Sequence, residues 1–399
     1  MTATTGADRA VVPVRGDSKE GGERPWVVPL SDVRVSAEIE DAALEVVRSG
    51  WWSMGQKVAD FEREFASFCG AKYAYAVANG TAALHLALLA VGCGPGDEVV
   101  VPSLNFVAAA NTIGHVGATP IFCDIAGVDD LTADPKDIEA AIGPETRAIV
   151  VMHYGGHPCR MDQIMEIASR RGVVVIEDAA HAPGATWRGR KCGTIGRVGC
   201  FSFFSNKNLP IGEGGMVVTD DDAVAEKVRL LRSHGMTTMT WDRHRGHAHT
   251  YDVVTQGFNY RMDEMRAALG LVQLRHLEEQ NAQRARIVAS YREALDGVNG
   301  LAMPFPGSAD VLPSHHLAVL ILPERCSRDD FRTSLAERRV QTSVHYPPIH
   351  TFSAYDLLGS RRPLPVTEAL APRLVTLPLY PHMTSTDVSV VTSAVLAAT

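Results

Sequence analysis

The sequence predicts an α/β protein: a large domain built on a mostly parallel sheet, and a smaller α+β domain at the C-terminal end. Three observations carry this expectation. Strand-like and helix-like runs alternate through 120–124, 135–141, 148–152, 161–170 and 173–176, and the strand segments are continuous Val/Ile runs, as a parallel sheet buried on both faces requires. Residues 262–295 are a long helical stretch rich in Leu, Ala, Arg and Glu. From 301 to 399 the alternating elements become shorter. The expected division is a mobile tail at 1–25, a large domain at 26–260, and a linking helix with the small domain at 261–399.

Composition narrows the classes. A chain of 399 residues is long enough for two domains, and 46% hydrophobic with 21% charged residues is ordinary for a soluble globular protein. A formal net charge of −8 argues against a general nucleic-acid binder. The seven cysteines include no CxxC pair and sit in apparent core segments, which reads as free thiols in a reducing cytoplasm. No apolar run approaches the roughly 20 residues of a membrane span, and the first residues lack a signal-peptide core. A cytoplasmic location is therefore expected.

Taken in order, residues 36–48 read as an amphipathic helix with Ile39, Ala42, Leu44 and Val47 on one side, ending at Ser49-Gly50. Trp51 and Trp52 follow, suited either to stacking on a ligand or to packing at a rim. Residues 58–68 form a second helix that buries Phe61 and Phe65. The apolar run 73–77 leads into Asn79-Gly80-Thr81-Ala82 and an apolar helix. A strand, a glycine turn and a helix N-terminus together make anion-binding geometry, with free amides and the Thr81 hydroxyl as donors. A plain N-cap by Asn79 or Thr81 is the other reading. The glycine cluster at 92–96 follows a helix and precedes a strand, the reverse of a dinucleotide loop, which excludes a nicotinamide dehydrogenase. His153 and Tyr154 end one strand and are expected to face the cleft.

The run 173–176 ends in Glu177 and Asp178. These point to opposite faces, so only one can serve the cleft, and spacing does not choose between them. Some thirty residues later, Lys207 stands in a turn between two apolar runs, flanked by Ser202, Ser205, Asn206 and Asn208 and by Gly212, Gly214 and Gly215. A lysine crowded against backbone loses its proton near neutral pH. A neutral amine of this kind forms an imine with an aldehyde cofactor, pyridoxal phosphate being the usual one, and a carboxylate against the cofactor's ring nitrogen keeps that nitrogen protonated. A solvated loop lysine is the competing reading. Residues 237–252 concentrate Arg243, His244, Arg245, His247 and His249 beside Trp241; the spacing fits no zinc pattern, and no metal is expected.

Several separated blocks then resemble one family. EDAAHAPGA at 177–185, FSFFSNKNLPIGEGGMVVTDD at 201–221, NGTAALHLAL at 79–88, PSLNFVAAAN at 102–111, GFNYRMDEMRAALGLVQL at 257–274 and VHYPPIH at 344–350 look like the DegT/DnrJ/EryC1/StrS sugar aminotransferases, in the right order from about residue 35 to 355. The resemblance implies the fold-type I architecture and pyridoxal phosphate. It implies Lys207 as the cofactor lysine and Asp178 as the ring-nitrogen partner. Phe106 would lie on the pyridine ring, Gly80, Thr81, Ala82 and Ser202 would bind the phosphate, and His181 would stand near the phenolic oxygen, where many relatives carry EDxAQ instead. It also implies that Asn259 reaches the cofactor phosphate of a partner subunit, which makes a homodimer with shared sites. Trp51, His153 and His345 are candidate substrate contacts, and Arg243 and Arg245 suit a nucleotide-sugar diphosphate. Relatives that replace the lysine with histidine are dehydratases, so Lys207 favours transamination.

The expected activity is transfer of an amino group from L-glutamate to a nucleotide-linked keto-sugar, C4 of a dTDP-4-keto-6-deoxyhexose being the first candidate, in deoxysugar and antibiotic biosynthesis. A C3-keto-sugar or a cyclitol ketone (inosose) is the alternative within the family. A catalytically silent cofactor-binding regulator is the alternative outside it, although no DNA-binding segment supports one.

Overall fold

The computed structural model describes residues 26–238, 250–298, 300–355 and 362–399. The expected tail at 1–25 and the basic segment with Arg243 and Arg245 lie outside the described residues. The large unit is organised on seven strands: β1 (Tyr73–Val77), β2 (Glu98–Pro102), β3 (Thr119–Cys123), β4 (Thr146–Met152), β5 (Val174–Asp178), β6 (Val198–Ser202) and β7 (Gly215–Thr219). Their order across the sheet is β1-β7-β6-β5-β4-β2-β3. All neighbours run parallel except β7, which is antiparallel to both β1 and β6. The chain returns through the lysine turn at 203–214 with no intervening helix to carry it over the sheet, and β7 comes back antiparallel.

Both faces of the sheet are covered, as the continuous apolar strands require. On β5, Ile176 packs with the helix α1 (Gly80–Val91), while the adjacent Val175 packs with the helices Pro135–Ala141 and Met161–Arg171 on the opposite face. The strand's alternation therefore divides Asp178 and Glu177 between two environments. Apart from His85, helix α1 is apolar all round because it is buried all round, from Ala82 to Leu88 without an exposed position.

The helix Glu264–Leu295 runs 32 residues from the large unit to the small one. At its start the Glu264 carboxylate accepts from the amides of Gly55, Lys57 and Val58, each at 2.9 Å, at the head of the helix Gln56–Cys69. An anion there meets the orphan amides and the positive end of the helix dipole. Toward its other end Ile287, Val288, Tyr291 and Leu295 join the small unit's core with Leu320, Phe331, Val375 and Val395. Val28 is buried in that same core, and the segment around it bridges to Val340, so the start of the described chain packs on the C-terminal unit.

Candidate active site

The C-terminal edge of the sheet brings the predicted residues together through strand register. Gly215 pairs with Val77 on one side and with Ser202 on the other, which sets the turn after β1 against the end of β6. A Cβ on Gly80 would come within 2.8 Å of the Ser202 Cβ, and one on Gly215 within 2.5 Å of the Asn79 carbonyl oxygen. Glycine at both positions is what allows helix α1 to begin this close to Ser202. Asn79 caps the helix, its Oδ1 accepting from the Ala82 amide at 2.8 Å. Ala82 is thus committed to the cap and is not the free amide that the sequence suggested. The amides of Gly80 and Thr81, in the first turn, have no intrahelical acceptor, and Gly80 lies against the Ser202 side chain.

One strand over, Asp178 is buried at the end of β5, opposite Met152 and Cys200. Its Oδ1 accepts from the Ala180 amide at 3.2 Å. Burial raises its pKa, against the pull of that amide, of Lys207 and of His153. Glu177 is the opposite case. Its Oε2 accepts from His153 Nε2 at 2.9 Å and from the Gly193 amide at 2.7 Å, and its Oε1 from the Ile195 and Gly196 amides at 2.6 and 2.5 Å. Every lone pair is used, so Glu177 ties down the 193–196 turn and Asp178 is the carboxylate left for the cleft.

The same geometry corrects the expectation for His153. The ring is fully buried behind the sheet edge, its Nδ1 accepting from the Cys159 amide at 3.1 Å and its Nε2 donating to Glu177. Both nitrogens are occupied, and no atom remains for a substrate. His153, Glu177 and Cys192 stand close enough together to suggest a metal site, yet the lone pairs a metal would need are already taken by these hydrogen bonds. Burial also pushes the Cys192 thiol well above its ordinary range.

Lys207 sits in the turn between β6 and β7, which is closed by Phe203 N donating to Gly214 O, Ile211 N to Phe203 O and Lys207 N to Phe204 O. The residue is half-buried, and its amine stands 3.5 Å from His316 Nε2. Burial lowers its pKa from 10.5 to about 8, opposed by Asp178. Close by, Asn206 Oδ1 is buried with no partner.

His181 is buried, with Nδ1 accepting from the Gly155 amide at 3.3 Å and Nε2 against the Tyr346 hydroxyl at 2.9 Å. The residue that the resemblance places near the cofactor's phenolic oxygen is thus paired with a tyrosine. Burial, Lys207 and His345 hold this imidazole well below its ordinary pKa. Phe106 is 53% exposed at the cleft, its ring centroid 5.6 Å from that of Tyr346. His345 bonds Thr376 Oγ1 at 2.9 Å, and the Tyr154 hydroxyl donates to its carbonyl. Trp51 packs over Gly55 with its indole nitrogen 3.4 Å from Met54 O. Asn259 is exposed, on an edge bridged to Ser233.

His316 and Tyr346 are the residues that sequence reasoning missed. Tyr346 lay within a stretch already singled out for its histidines. His316 is 109 residues from Lys207, and its one signal was a paired histidine immediately before an apolar strand.

The donor set fits pyridoxal phosphate. The free amides beside Ser202 suit a phosphate, the buried Asp178 suits a protonated ring nitrogen, and the lysine of lowered pKa suits an aldehyde. The pattern of the DegT/DnrJ/EryC1/StrS aminotransferase family matches residues 34–396. The chain belongs to this family. Members are pyridoxal-phosphate-dependent sugar aminotransferases, and that is the class of this enzyme. The spore coat polysaccharide biosynthesis protein SpsC of Bacillus subtilis (strain 168) is 42% identical over 378 residues, 93% of this chain and 96% of SpsC. The crystal structure of DesV from S. venezuelae is 38% identical with a TM-score of 0.85, over 94% of this chain and 98% of DesV. The aminotransferase TlmJ from Streptoalloteichus hindustanus is 35% identical with a TM-score of 0.87, over 93% of this chain and 98% of TlmJ. Among the described residues no helix is long and apolar enough to cross a membrane.

Proposed function

We propose that this aminotransferase moves the amino group of L-glutamate onto the ketone of a nucleotide-linked deoxysugar, with C4 of a dTDP-4-keto-6-deoxyhexose as the first candidate. The observation that carries the reading is the Lys207 amine placed in the lysine turn near the buried Asp178, where burial draws its pKa down to about 8. Near neutral pH such an amine both accepts and returns a proton, which is what amino transfer asks of it twice per cycle. The cofactor supplies the electron sink when bound. Asp178 would keep its ring nitrogen protonated, the Gly80 and Thr81 amides with Ser202 would hold its phosphate, and Phe106 would pack against it. Lys207 Nζ removes the proton from the donor's carbon and delivers one to the sugar carbon. The name of SpsC supports a saccharide rather than a free keto acid as acceptor.

The exposed Asn259 suits a role across a two-fold interface. A homodimer with shared sites predicts that mixing Lys207→Ala and Asn259→Ala subunits restores part of the activity that each lacks alone. The acceptor is tested by incubating the holoenzyme with L-glutamate and a panel of nucleotide keto-sugars, following amino sugar and 2-oxoglutarate by mass spectrometry. Equimolar products with a nucleotide sugar are expected. Turnover of inososes alone would replace the nucleotide sugar with a cyclitol.

A further inference from the structure

The protonation form of the ring facing Lys207 is fixed by a chain of amides behind it. Asn281 Nδ2 donates to the Pro183 carbonyl at 2.9 Å, which leaves its Oδ1 to accept from Asn208 Nδ2 at 2.8 Å. Asn208 Nδ2 also donates to the Ser314 carbonyl at 2.7 Å. Carbonyl oxygens only accept, so neither amide can be flipped without setting oxygen against oxygen. Asn208 Oδ1 is then left facing His316 Nδ1 at 3.1 Å, and that nitrogen must carry a proton. The ring is buried 4.4 Å from that of His181, and burial together with the positive or titratable neighbours His181, Lys207, Arg284 and His345 keeps it neutral. A neutral imidazole with its proton on Nδ1 presents a lone pair at Nε2, and Nε2 is the atom 3.5 Å from the lysine amine.

We propose that His316 is a positioning residue for Lys207: its Nε2, made an acceptor by the Asn281–Asn208 relay, holds the amine at the mouth of the cleft and steadies its protonated form. The residue comes from the small unit and the amine from the large one, so the contact also sets the lysine by the docking of the two units. Asp178 is the carboxylate acting in the same direction, and burial acts against both. The proposal rests on Lys207 as the working amine. Its test reads the amine itself and no turnover, so it fails separately from the aminotransferase reading.

The test is the pH dependence of Lys207 acetylation by acetic anhydride in the full-length, cofactor-free chain, read by peptide mass spectrometry with Lys72 and Lys227 as internal references. Wild type should be half-reactive near pH 8. His316→Phe keeps an aromatic ring but no acceptor, and its midpoint should fall by roughly one unit. His316→Gln, whose amide oxygen still accepts, should stay near wild type. An unmoved midpoint in the phenylalanine variant, or an equal fall in both variants, overturns the proposal. The wild-type protein gives an independent reading that needs no variant to fold. The 15N shifts of His316 at neutral pH should report the Nδ1–H form, and the Nε2–H form or the imidazolium would contradict it.

Discussion

Glu177 and Asp178 are neighbours on one strand with the same functional group, yet the fold puts them to opposite uses. On the Glu177 side each carboxylate lone pair has a donor, and the partner histidine is itself satisfied at both nitrogens. On the Asp178 side one oxygen has one long hydrogen bond, burial opposes the charge, and the facing lysine has given up much of its own basicity. Buried polar groups that are fully paired hold a fold together. Those held short of pairing are available to a ligand.

Substitutions on the two faces should separate these roles. The largest effect is expected for Asp178→Asn, which should lower kcat on the order of a thousandfold while leaving the denaturation midpoint unchanged or raised, because a buried carboxylate is exchanged for a neutral group of the same size. A loss of stability equal to the loss of activity would break the comparison. Glu177→Ala should do the reverse. It strands three amides and a histidine in the core, costing about 3–5 kcal/mol by chemical denaturation, with the activity of the remaining folded fraction near wild type. His153→Gln, which loses part of the same network, should cost about 1–2 kcal/mol and leave KM for both substrates unmoved. A raised KM would return His153 to the cleft.

The remaining effect concerns pH. The lysine's lowered pKa penalises the folded state below about 8, and the penalty fades as pH rises toward the ordinary 10.5, because there the unfolded chain holds the proton that the folded chain has released. Cofactor-free wild type should therefore gain stability between pH 8 and 10 relative to Lys207→Met, as thermal melts of the two proteins would show. Parallel profiles would mean that the amine is not desolvated in the fold.

Much of this was legible before the structure. The Val/Ile runs gave the parallel strands because a strand buried on both faces has no polar position, and the lysine turn stood out through its glycines. The strand, turn and helix start proposed to hold a phosphate were visible, though not that Asn79 would claim the Ala82 amide. The choice of Asp178 over Glu177 came from the family resemblance and not from spacing, because it depends on amides at 193, 195 and 196 that reach one face only in the folded chain. His153 was misread for a related reason: a residue just past a strand end can turn under the edge as easily as into the cleft. His316 and Tyr346 come from the small unit, and nothing local in the sequence ties them to a lysine more than a hundred residues away.

The central claim, that Lys207 is the amine on which amino transfer turns, is tested most directly by the absorbance spectrum of the protein with added pyridoxal phosphate, recorded before and after L-glutamate. Wild type should show a yellow band that glutamate bleaches, and Lys207→Ala should show no band that glutamate bleaches. A band indifferent to glutamate in wild type, or one bleached equally in the alanine variant, would contradict the account.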